Sequence, residues 1–64
     1  MKILLNGTPR ETTAKTLDVL LAECGYSGRV ATAINEDFVP AAARCKTDLH
    51  DGDRIEVVAP MQGG

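Results

Sequence analysis

The spacing of apolar residues changes several times along the chain, and each change marks an element. Met1 to Leu5 is a short β-prone run that ends at Asn6-Gly7, a pair that accepts the positive φ angles of a tight hairpin turn. A short polar return strand is predicted over Thr8 to Thr12, with Pro9 near its start, where a missing N–H does least harm, as at a sheet edge. From Thr16 the period becomes helical. Leu17, Leu20, Leu21 and Cys24 fall at i, i+3, i+4 and i+7 and stack on one face of a helix. Thr16 is the candidate N-cap, Asp18 suits the positive end of the helix dipole, and Gly25 is placed to close the helix in a left-handed conformation.

Val30 to Ile34 returns to β-type residues; Asn35-Glu36-Asp37 offers a turn, and Phe38-Val39 a short strand that Pro40 ends. Ala41 to Thr47 has no clear period and reads as an irregular connection containing a helical turn, before an Asp51-Gly52 turn and a last strand over Arg54 to Ala59. One helix must therefore cover one face of one mixed sheet to bury its leucine stripe. The expected fold is α+β: a β-grasp, ubiquitin-like sheet of four to five strands packed on one α-helix. Alternation puts Ile3, Leu5, Ile55 and Val57 on the helix side and leaves Leu4 and Val58 on the open side. No repeat, linker or low-complexity stretch interrupts the plan, so residues 1–64 are expected to form a single domain with a flexible Gly-Gly tail.

A 64-residue domain buries only about 60% of the surface its unfolded chain exposes, so its core is thin. A pocket deep enough to enclose a substrate would consume the apolar material that holds such a fold together, and an enzyme active site is disfavoured. Function is expected on a surface or a chain end. With 44% apolar and 25% charged residues the chain reads as an ordinary soluble protein. The apolar run at the N-terminus is too short for a signal peptide or a membrane span, which points to the cytoplasm and away from a membrane partner. The net charge of −2 argues against nucleic acid. It is unevenly spread: residues 1–32 carry four basic and three acidic side chains, residues 33–64 three basic and six acidic. A partner of the C-terminal half would do better with a basic surface.

Few constellations could carry chemistry. Cys24 and Cys45 form no C-x-x-C pair and do not neighbour His50, so no metal site is expected and two free, partly buried thiols are the simplest reading in a cytosolic chain. Two thiols also fall short of the four that the iron–sulfur cluster of a plant-type ferredoxin requires. His50 reads as a solvated residue beside Asp51 and Asp53, and Asp51-Gly52-Asp53 as a turn, since an EF-hand needs a longer ligand series ending in a glutamate. No Ser/His/Asp grouping, phosphate loop or zinc-protease spacing is present. There remains the tail, Pro60-Met61-Gln62-Gly63-Gly64. Two terminal glycines add nothing to a core and carry a high ordering entropy. A frayed end or a cloning scar would look the same, but they also suit a carboxyl group that an activating enzyme must enclose in a narrow channel.

The residues before the tail favour the second reading. The run from Asp51 through Ile55-Glu56-Val57-Val58 to Gly64 resembles the end of ThiS-type proteins, the sulfur carriers of thiamine thiazole synthesis. Met1-Lys2-Ile3-Leu4-Leu5-Asn6-Gly7 is similar to their first strand and turn, Leu17-Asp18-Val19-Leu20-Leu21 to their helix, and Ala33-Ile34-Asn35 through Phe38-Val39-Pro40 to their middle hairpin. The resemblance implies a carrier, not an enzyme, with no bound cofactor. Its terminal Gly64 would be adenylated by an E1-like, ThiF-type enzyme using ATP and magnesium, then converted to a thiocarboxylate with sulfur from a donor protein. That sulfur would go to a ThiG-type thiazole synthase. Gly63 would let the tail thread both partners; Leu4, Glu56, Val58, Met61 and Gln62 are the expected partner contacts. The family often has a basic residue straight after the Val-Pro pair, where this chain has Ala41 and delays its arginine to Arg44. The small subunit of molybdopterin synthase shares the fold and the Gly-Gly end but is usually longer. A ubiquitin-like protein modifier, joined through Gly64 to a target lysine, is a further alternative, as is a plain binding module.

Overall fold

Two hairpins, one α-helix and a central fifth strand make up the described chain, residues 1–26 and 29–59 of a computed structural model. The elements are β1 (Lys2–Leu5), β2 (Thr8–Glu11), α1 (Leu17–Glu23), β3 (Ala31–Ile34), β4 (Asp37–Val39), a 3₁₀ helix (Ala41–Lys46) and β5 (Arg54–Val58). The strands form one mixed sheet in the order β2-β1-β5-β3-β4. β1 pairs antiparallel with β2, β3 with both β4 and β5, while β1 and β5 run parallel. The last strand therefore lies between the two hairpins.

The turn residues explain the hairpins. Asn6 and Gly7 both take positive φ, the mirror-image geometry that matches the twist of the flanking strands. Asn35 and Glu36 take positive φ at the second hairpin, and there the glutamate does so without the ease that glycine would bring. Helix α1 ends as the sequence suggests: Gly25, at φ +82°, donates to the Ala22 carbonyl, and Tyr26 N–H to that of Leu21 at 3.0 Å. Its start differs. Thr16 occupies the N-cap position, yet its hydroxyl donates to the Asp18 carboxylate and caps no backbone N–H. The Leu17 N–H is instead satisfied by the Thr47 carbonyl at 3.0 Å, so a tertiary contact replaces the local cap.

The helix stripe meets the sheet as its spacing requires. Leu17, Leu20 and Leu21 are buried against Ile3, Ile55 and Val57, with Leu5 partly buried beside them. Each fully buried aliphatic side chain contributes about 1.5–3 kcal/mol. Ala14, Val39 and Leu49 complete the core. Two polar groups are buried with partners. Thr12 Oγ1 donates to Glu23 at 2.6 Å and accepts from Ala14 N–H, and Thr32 Oγ1 donates to the Val39 carbonyl at 2.7 Å. No helix among the described residues is long and apolar enough to cross a membrane.

Candidate functional site

The middle strand of the sheet leads into the chain end that the sequence singles out. In β5, Ile55 and Val57 point into the core, while Arg54, Glu56 and Val58 stay exposed on the other face. The described residues stop at Ala59. The sequence candidates Met61, Gln62, Gly63 and Gly64 lie outside them. What the structure describes is the strand from which that end departs.

Two turn asparagines hold β5, one on each flank. Near its start, the Arg54 N–H donates to Asn35 Oδ1 at 3.0 Å, Asn35 Nδ2 donates to Asp53 at 3.0 Å, and the Asn35 N–H donates to the Arg54 carbonyl at 2.8 Å. Near its end, the Val57 N–H donates to Asn6 Oδ1 at 2.8 Å, and Asn6 Nδ2 donates to the Val57 carbonyl at 3.2 Å. The Asn6 backbone N–H donates to the Ile55 carbonyl at 2.8 Å. A sequence reading gives both asparagines a role in turns alone. Their second role depends on which peptide groups of β5 pass beside them.

On the open face the two expected contacts Leu4 and Val58 stand apart. The parallel register sets Leu4 opposite Arg54, four residues before Val58, a separation of about 13 Å along the strand. Leu4 is half-buried, whereas Val58 is 63% exposed. Val58 lies opposite Ala31, and Glu56 opposite Ala33, which in turn faces Phe38 on β4. Phe38 is 70% exposed, the most exposed of the large apolar side chains among the described residues. The apolar area around the end of β5 is therefore Val58, Ala31, Ala33 and Phe38. Arg29, Val30, Ala31 and Val58 line a shallow open depression of about 280 Å³ at its edge. The sequence expectation omits Phe38, although its alternation with the buried Val39 carries the signal. The charge beside this area is mixed: exposed Glu56 lies within it, and Arg54 and Glu36 form an exposed pair at 3.8 Å.

Several of the other polar groups hold the fold. Arg44, the delayed arginine, turns inward: Nε donates to Thr32 Oγ1 at 3.1 Å and Nη2 to the Val30 carbonyl at 2.6 Å. Asp51 accepts from the Lys2 N–H and Asp53 from the His50 N–H, so Asp51-Gly52-Asp53 is a braced turn. The exposed His50 imidazole stands 3.8 Å from Asp53. Cys24 is half-buried against the core, as expected, while Cys45 is exposed. Among the described residues no three His, Cys, Asp or Glu side chains gather as metal ligands.

Comparison with known proteins matches this arrangement over its whole length. Residues 3–64 match the ThiS family. A sulfur carrier protein ThiS of Thermus thermophilus is 43% identical over 63 residues, which is 97% of this chain and 98% of that protein. A thiazole synthase of Paramagnetospirillum magneticum is 38% identical over 66 residues; the match takes in all of this chain, which spans only 20% of that protein's length. The crystal structure of the thiamine biosynthesis protein (ThiS) from Geobacter metallireducens has a TM-score of 0.85 at 25% identity, with both chains covered in full. A solution structure of a thiamine biosynthesis protein from the same organism gives 0.82, covering 88% of that chain.

Proposed function

The chain belongs to the ThiS family and is a sulfur carrier, and we propose that it bears its sulfur as a thiocarboxylate on the carboxyl group of Gly64, for thiazole formation in thiamine synthesis. The observation that carries the reading is the place of β5 in the sheet. A central strand bonded on both flanks ends at Val58, and the sequence continues for six residues to Gly63-Gly64. A rigid body joined to a slender reactive end is what successive visits to two enzymes require.

The chemistry proceeds in two balanced steps. A carboxylate is a poor acyl electrophile, so an E1-like, ThiF-type partner with ATP and magnesium first activates it. The Gly64 oxygen bonds to the α-phosphorus of ATP, the bond to the β-phosphate bridge breaks, and pyrophosphate leaves. A sulfur nucleophile at the hydrosulfide level, brought by a donor protein, then attacks the acyl carbon. AMP departs with its electron pair and the thiocarboxylate remains. The chain's part is to present the carboxyl group as a substrate of the activating enzyme.

Acceptance of the sulfur by a thiazole synthase is supported by the relative of that name, which contains a stretch resembling this whole chain. Docking through the open face is supported by Val58 and Phe38, whose exposure beside the departing strand leaves apolar area for a partner to cover. Met61 and Gln62 would follow Gly64 and Gly63 into the partner's channel and contact its mouth. Removing Gly64, or adding one residue after it, should abolish ATP-dependent adenylation while the circular dichroism spectrum stays unchanged. Adenylation of the truncated chain at the native rate would overturn the reading.

A further inference from the structure

The geometry points to Asn6 as a positioning residue that steadies, on the β1 flank, the end of the strand from which the reactive end departs. In a parallel ladder, a strand continuing beyond Asn6 would offer its own carbonyl to the Val57 N–H and a later N–H to the Val57 carbonyl. β1 cannot do so, because the backbone swings away at Asn6 (φ +51°) and Gly7 (φ +83°) to begin β2. The Asn6 carboxamide takes over both bonds, at 2.8 and 3.2 Å. One side chain thus acts as the missing peptide group and carries the pairing of β5 one residue pair beyond the end of its neighbour.

The place of this substitution matters more than its strength. Val57 stands seven residues before Gly64, a distance that extended chain spans in at most about 25 Å. If the two Asn6 bonds are lost, the end of β5 is held by β3 alone, through the Ala31–Val58 pair, and the direction in which the chain leaves Val58 is less firmly fixed. A docked partner would then meet Gly64 in its activating site less often, although the docking surface itself is unchanged. At the other end of β5 the Asn35 side chain accepts from the Arg54 N–H and donates to the Asp53 carboxylate, so losing it leaves the departure point untouched.

The inference rests on the thiocarboxylate reading, and adenylation kinetics with the activating enzyme separate the two. Asn6→Gly keeps the positive φ and removes both carboxamide bonds; Asn6→Asp keeps the acceptor for the Val57 N–H and loses the donor to its carbonyl. Asn35→Gly, which removes the turn asparagine at the far end of the strand, is the control. Asn6→Gly should lower kcat about 5–30-fold, the factor that two hydrogen bonds of ordinary net strength represent. KM should stay within about twofold, and amide exchange at Val57 should accelerate. Asn6→Asp should fall between Asn6→Gly and the parent. Asn35→Gly should lose comparable thermal stability with kcat nearly unchanged. Equal loss of kcat in Asn6→Gly and Asn35→Gly would reduce Asn6 to a stabilising residue and overturn the inference. So would a native kcat with Val57 exchange accelerated. If the parent chain is not adenylated at Gly64, the functional reading fails first and the inference falls with it.

Discussion

Val58→Asp should separate docking from folding. Full burial of a valine side chain is worth about 1.5–3 kcal/mol. Val58 keeps 63% of its surface exposed, so a partner that covers it gains about 1–2 kcal/mol. Losing that contact weakens binding roughly 5–30-fold. The new carboxylate makes the loss larger, since it must be desolvated beside Glu56, two positions away on the same face. The cost to the fold is smaller. Aspartate is a poor strand residue, and at an exposed position in a central strand this amounts to about 1 kcal/mol, or a fall of 4–8 °C in melting temperature for a domain of this size. Val58→Thr keeps the β-branch and should melt close to the parent, with an intermediate loss of affinity. The assay is titration calorimetry against the activating enzyme at a temperature where all three proteins are folded. A dissociation constant for Val58→Asp within twofold of the parent would refute docking through this face.

The same face should be sensitive to salt: the acidic bias of residues 33–64 would steer a basic enzyme surface, so stopped-flow association of the parent should slow as ionic strength rises, and a salt-independent on-rate would remove the steering alone. Arg44→Ala should destabilise the fold by about 1–3 kcal/mol in denaturant titration, because the Thr32 hydroxyl and the Val30 carbonyl lose their guanidinium donor. Its affinity for the activating enzyme should not change, and a loss of affinity without a loss of stability would make Arg44 a partner contact after all. Gly63→Val should slow thiocarboxylate formation far more than it shifts the melting temperature, since a β-branched residue stiffens and widens the slender end; formation at the native rate would disprove the narrow-channel argument.

Much of the fold was legible because periodicity is a local signal. The leucine spacing from Leu17 marked the helix and its buried face, Gly25 its end, and Asn6-Gly7 the first hairpin. Alternation along β5 correctly divided Ile55 and Val57 from Val58. The site was harder to read because it depends on register between distant segments. Leu4 and Val58 lie on the same face, but their separation follows from the pairing of Leu4 with Arg54, which no residue of either strand announces alone. Asn6 and Val57 are 51 residues apart in sequence, so the carboxamide that continues the sheet reads locally as an ordinary turn residue. Arg44 offered a similar ambiguity. The sequence shows it only as a basic residue delayed after Pro40, and its inward turn depends on the 3₁₀ helix that places it over the Val30 carbonyl.

The central claim is that Gly64 carries the sulfur, and intact-mass measurement of the chain purified from its native cells tests it most directly. A fraction of the protein should be heavier by one oxygen-to-sulfur exchange, with fragmentation placing the change on Gly64. Protein that carries no such exchange in cells actively making thiamine, or that appears instead as conjugates joined to target lysines, would contradict it.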